Sequence, residues 1–150
     1  MTSTLGQYFT PEQRNAFAIR ITEIKNVFRR FCTSTEPPKI KILILIRING
    51  DNLGCVLINT CINAKALSSS DLTDLHIPIK ASDYKFLSHD SYIDCSYLYE
   101  LQRPVLHGDL KTSPEIMVGT IDDPLYVVIV GKLKNAETIT PKTKKKYSLI

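Results

Sequence analysis

A chain of 150 residues with 43% apolar side chains is long enough for one domain with a real core and short for two. No apolar run approaches the roughly 18 residues that cross a membrane as a helix, and the start lacks a basic-then-apolar leader, so a cytoplasmic protein is expected. The formal net charge of +4 is uneven, because residues 132–146 hold six Lys and one Glu and leave the remainder nearly neutral.

In chain order, Thr10-Pro11-Glu12-Gln13 is a helix start: Thr10 can cap, Pro11 suits the first helical position, and Gln13 can complete a capping box. Phe17, Ile21, Ile24, Phe28 and Phe31 then recur at steps of three and four, which predicts one amphipathic helix ending near Cys32. Arg14, Arg20, Lys25, Arg29 and Arg30 fall off that stripe; they would suit an RNA-binding basic face, although a solvated helix face is the default for such residues. Glu36-Pro37-Pro38 predicts an extended linker. Residues 1–38 thus form a helix and linker packed on whatever follows.

Lys39–Ile48 (KIKILILIRI) reads as a strand covered on both faces over its middle. Asn49-Gly50-Asp51-Asn52 supplies turn chemistry, and Cys55–Asn59 returns as an antiparallel partner. Ser68–Asp71 opens a polar loop. His76–Lys80 (HIPIK) is a short strand, which Pro78 confines to an edge or bulge. A turn over Ala81–Phe86 leads to a strand from Ser91, with Tyr92 and Ile93 on opposite faces and Asp94 on the Tyr92 side. Leu101–Leu106 predicts a further strand interrupted at Pro104.

In the last third, Thr112-Ser113-Pro114-Glu115 and Asp123-Pro124 are helix starts. YVVIV is β-prone, but the flanking signals and the spacing of Leu125, Val128, Ile129 and Leu133 predict a helix over Pro124–Asn135. Thr140-Pro141 begins a short basic helix or tail. Residues 39–135 make the central unit and 136–150 the basic end. The fold class expected is α+β: a small, strongly bent antiparallel sheet with an N-terminal helix and C-terminal helices.

Cys32, Cys55, Cys61 and Cys95 form no CxxC pair and lie near no second His, so neither a metal site nor a cofactor is expected.

Val56–Thr60 (VLINT), the HDSYID run at residues 89–94, the later GDL at 108–110 and LKNAETITPKTKKKY at 133–147 together resemble the PemK/MazF-like family. That resemblance covers most of Lys39–Leu149. It implies an SH3-like barrel, a homodimer, an antitoxin protein as partner, and single-stranded RNA as the substrate of a metal-independent endoribonuclease. Thr60 stands where the family has a catalytic Thr, at the end of a strand. The family's Arg-Pro before the next strand is replaced by Pro37-Pro38-Lys39, and its initial strand by the helix from Thr10. Lys39 and Lys41 would then supply the charge that stabilises a phosphorane, and His89 would be the acid or base. Lys142, Lys144, Lys145, Lys146 and Tyr92 would contact RNA. The alternative is a non-catalytic protein- or RNA-binding module. A His89–Asp90 relay is not expected, since adjacent strand residues point to opposite faces.

Overall fold

The computed structural model describes residues 10–32, 39–60 and 74–150. The linker at Glu36-Pro37-Pro38, the Ser68–Asp71 loop and Cys61 lie outside them. The elements run α1 (Pro11–Ile21), β1 (Asn26–Cys32), β2 (Lys39–Asn49), β3 (Asn52–Asn59), β4 (His76–Ile79), β5 (Ser91–Gln102), α2 (Arg103–Thr112), a 3-10 turn (Pro114–Ile116), β6 (Met117–Thr120), α3 (Asp123–Asn135) and α4 (Pro141–Lys146). The six strands form one antiparallel sheet in the order β4-β5-β3-β2-β1-β6.

The first helix starts as its sequence dictates. Thr10 accepts from the Gln13 amide, and the Gln13 side chain accepts from the Thr10 amide at 2.8 Å. It ends at Ile21, not near Cys32. Thr22 turns its hydroxyl back onto the Ala18 carbonyl at 2.7 Å, and Lys25 adopts φ +76°. Asn26–Cys32 is then a strand, paired from Val27↔Ile44 to Cys32↔Lys39. The spacing that suggests a continued helix also fits alternation, with Val27, Arg29 and Phe31 on one face and Phe28 and Arg30 on the other. Pairing with the apolar β2 decides between them, because it buries Val27 and Phe28 completely.

Leu101–Leu106 is likewise not a separate strand. β5 continues through Gln102, and Arg103-Pro104 opens α2, with Pro in its first turn. The helix over 124–135 is present. Its cap is Asp122, whose side chain accepts from the Leu125 amide at 2.9 Å, and Asp123 is its first residue.

Both faces of the sheet are covered. On the outer face, α1 and α2 pack together over Phe28, Leu43, Leu45, Leu53, Cys55, Leu57 and Leu101. On the inner face, Val27, Ile44, Ile46, Val56, Ile58, Ile93 and Cys95 meet α3, Tyr147 and Leu149. Each fully buried Leu or Ile contributes about 1.5–3 kcal/mol. Register shifts in β1, β2 and β5 bend the sheet, which curls into a half-barrel. The curl is deep enough that the segment leaving one edge strand reaches the other. Phe86, after β4, lies 2.7 Å from the position a Cβ on Gly119 of β6 would take, and Tyr84 donates to Asp122 at 2.9 Å. Only glycine leaves room for that ring.

Residues 136–150 form no loose tail. Tyr147 and Leu149 are 2% and 0% exposed. The Tyr147 hydroxyl donates to Glu100 at 2.9 Å, Arg47 donates to the Tyr147 carbonyl at 3.2 Å, and Asn49 donates to the Lys146 carbonyl at 2.8 Å.

Candidate functional site

The site follows from strand register. On the outer face, one cross-strand row reads Phe28, Leu43, Leu57, Asp94 and His76 across β1, β2, β3, β5 and β4. The next row reads Arg30, Lys41, Asn59, Tyr92 and Pro78. Arg30 pairs with Lys41, Asn59 with Tyr92, and Tyr92 with Pro78. Lys41 Nζ donates to Asn59 Oδ1 and so closes the row. Over two residues along each strand, Phe28, Leu43 and Leu57 thus give way to Arg30, Lys41 and Asn59.

Arg30 is held from the side. Its Nε donates to Asp109 Oδ2 of α2 at 3.0 Å, and Nη1 lies 3.5 Å from the Tyr99 hydroxyl. Its side chain is 14% exposed, so the guanidinium has one fixed orientation. A planar cation beside an ammonium is suited to a phosphate or carboxylate, and the Tyr92 ring three strands away offers a face to a base or another aromatic.

The sequence-derived residues divide between two ends of the sheet. Lys41 and Tyr92 belong to the polar row. Thr60 is exposed and directly follows Asn59, and Lys39 is exposed opposite Cys32, so both flank the row. His89 lies in the exposed turn before β5, where Nδ1 shares a 3.0 Å hydrogen bond with Ser88 Oγ. The α4 lysines sit at the other end, beside the Asn49–Asn52 turn and on the inner face. Lys146 pairs with Glu100 at 2.7 Å, and Lys144 donates to the Lys134 carbonyl at 2.9 Å. Lys142 and Lys145 are exposed.

Asn59 is a site residue that sequence reasoning missed, and Arg30 was reached only as one of five basic residues on the expected first helix. Arg30 becomes visible once Asn26–Cys32 is known to be a strand, because alternation then sets it beside Phe28. A second missed feature is the His76–Asp94 pair, one row deeper. His76 Nε2 stands 3.5 Å from Asp94 Oδ1, with side chains 3% and 10% exposed. Ser96 donates to the same carboxylate oxygen through its amide at 2.9 Å and its hydroxyl at 2.5 Å. This imidazole faces the same side as the polar row but is buried and matched, which suits a structural role.

Among the described residues, no group of three or more His, Cys, Asp or Glu could hold a metal ion, and no helix is long and apolar enough to cross a membrane. Comparison with protein-family models, curated proteins and solved structures yields no match for this chain.

Proposed function

We propose that this chain is an SH3-like barrel protein of the toxin–antitoxin or defence type that binds single-stranded RNA across the Arg30–Lys41–Asn59–Tyr92 row. The observation that carries the reading is the pairing of VLINT with HDSYID: Leu57, Ile58 and Asn59 stand opposite Asp94, Ile93 and Tyr92. Two of the four segments that resemble the family thus meet at the end of the sheet where its surface turns cationic, while residues 133–147 end beside the Asn49–Asn52 turn. A phosphate seated between Arg30 and Lys41 would leave the base of a neighbouring nucleotide to stack on the Tyr92 ring, two strands beyond Lys41, with Thr60 and Lys39 beside the strand ends.

Binding without efficient cleavage is the form this proposal takes. Cutting RNA without metal requires a base for the 2′-hydroxyl and an acid for the leaving oxygen. His76 is buried against Asp94, and His89 is tied to Ser88 in an exposed turn. Among the described residues neither His76 nor His89 is placed on the row, which leaves electrostatic stabilisation as what the row supplies.

The test is anisotropy of a labelled single-stranded RNA in EDTA, repeated over salt. Lys41→Ala should weaken binding about tenfold and reduce the salt slope by about one. Tyr92→Ala should cost about 1–3 kcal/mol through lost stacking. Unchanged affinity in both variants removes the row as the site. Robust cleavage by the wild type that Thr60→Ala or His89→Ala abolishes replaces the binding reading with an endoribonuclease.

A further inference from the structure

The turn between β2 and β3 reads Asn49-Gly50-Asp51-Asn52, and Asn49 is the only asparagine of the chain followed by glycine. Gly50 sits at φ +59°, and a Cβ there would meet nothing within 4 Å. Two elements clamp this turn. Arg103, at the start of α2, donates to the Gly50 carbonyl through Nε at 3.2 Å and Nη2 at 3.0 Å, and its amide donates to the Asp51 carbonyl at 2.8 Å. From the other side, Asn49 Nδ2 donates to the Lys146 carbonyl at 2.8 Å. Lys146 is the last residue of α4, so its carbonyl has no donor within the helix. Asn49 therefore caps the end of α4 with its side chain.

Asparagine is a thermally labile residue, and a following glycine has no side chain to hinder attack by its amide. In that reaction the Gly50 nitrogen bonds to Asn49 Cγ and passes its proton, through water, to the departing amine. The Cγ–Nδ2 bond breaks and ammonia leaves. Water then opens the five-membered imide at either carbonyl, giving aspartate or isoaspartate at position 49. In the closed fold Nδ2 is held by Lys146 and the Gly50 peptide by Arg103, so neither group turns onto the other. Release of the α4 end frees Asn49, and local openings of this kind cost less than global unfolding.

We propose that Asn49 is a deamidation site gated by α4, and that its reaction turns a transient release of the α4 end into a lasting one. The product cannot restore the cap. A carboxylate at position 49 has no hydrogen to donate and faces a carbonyl oxygen, so the Lys146 acceptor is left to water. Isoaspartate also adds a methylene to the backbone beside Asn49↔Asn52, the last pair of the β2–β3 ladder. The end of α4 leads into Tyr147 and Leu149, which belong to the inner core, so the modified chain opens there more often. The proposal is independent of the RNA reading, since it uses no residue of the Arg30–Lys41–Asn59–Tyr92 row.

The full chain is aged at neutral pH and physiological temperature, natively and in urea. Conversion at each asparagine is followed by peptide mass spectrometry, with enzymatic carboxyl methylation to detect isoaspartate. In the native protein Asn49 should convert ahead of Asn52, Asn59 and Asn135, and more slowly than in urea. Tyr147→Phe keeps the buried ring and removes its hydrogen bond to Glu100; it should speed conversion at Asn49 about fivefold. Asn49→Asp, the aspartate product itself, should speed amide hydrogen exchange over residues 144–149 by a similar factor. The proposal is overturned if native Asn49 converts no faster than Asn52, if Tyr147→Phe leaves its rate unchanged, or if Asn49→Asp leaves that exchange unchanged. Should Tyr147→Phe fail to fold, the wild type is compared across low urea concentrations. Conversion at Asn49 that rises in parallel with exchange at residues 144–149 supports the gate, and conversion that stays flat overturns it.

Discussion

Gly54 shows how little freedom one position retains. A Cβ there would lie 2.8 Å from Leu98 Cδ2 and 3.1 Å from the Tyr147 ring. Leu98 can swing its tip away. Tyr147 cannot, because its ring is buried and its hydroxyl is bound to Glu100. Gly54→Ala should cost about 1–3 kcal/mol by overpacking, read as a lower urea midpoint with unchanged slope. Glu100 itself makes a pH prediction. Its hydrogen bond from Lys146, and then that from Tyr147, hold its carboxyl below the ordinary value of 4.5. A folded-state value below the unfolded one adds stability above 4.5 that is lost as pH falls through the depressed value. The stability gap between wild type and Glu100→Gln should therefore be present at neutral pH and close under acid, as followed by denaturation across pH. Cys95 behaves in the opposite sense, since burial and then the neighbouring Asp94 charge push its thiol up to about 12. Iodoacetamide at neutral pH should leave Cys95 unmodified in the native protein and alkylate it in urea, as peptide mass spectrometry would show.

At the scale of elements, α4 is a lid built from charge and locked by its end. Tyr147→Ala should cost about 3–5 kcal/mol, whereas Lys142→Ala with Lys145→Ala should stay within about 0.5 kcal/mol; thermal unfolding separates the two. Charges on α4 can thus be removed for RNA-binding experiments, while truncation through Tyr147 would remove core. Local chemistry was readable wherever one residue type enforces one geometry. The Thr10-Pro11-Gln13 cap, the Asn49–Asn52 turn, the edge position of Pro78 and the helix behind Asp-Pro all follow from short-range rules. The strand at Asn26–Cys32 was hidden because Ile24, Phe28 and Phe31 satisfy helical spacing equally well, and only pairing with β2 breaks the tie. The polar row was hidden for a related reason. Arg30, Lys41, Asn59 and Tyr92 are far apart in sequence, and each is ordinary until register sets them side by side. Lys41 and Tyr92 were reached through a family resemblance, while Arg30 required the fold.

The whole molecule is a sheet with two cores, one on each face, and a curl closed by contacts between opposite edges. Phe86 resting on Gly119 is the point of closure. Gly119→Val should force the ring away and loosen β6 and the 81–87 segment together, with faster hydrogen exchange in both and little change in α1 or α2. The homodimer that the family resemblance implies would have exposed apolar side chains to cover, among them Phe31, Ile40, Val127 and Val128. Sedimentation at micromolar concentration tests that association, and a monomer throughout the range argues against it.

The lock at Tyr147 also sets an order of events during synthesis. Arg47 and the carbonyl it holds are 100 residues apart, an interval the ribosome takes on the order of 5–20 s to translate. For most of that interval the β2–β3 hairpin has been synthesised, while Tyr147 and Leu149, which pack with Ile44, Ile46, Val56 and Ile58 in the fold, have not. The nascent chain therefore presents a greasy, strand-forming surface before its partner residues exist. Slow translation of the α3–α4 region should therefore lengthen the exposure of this surface and favour aggregation.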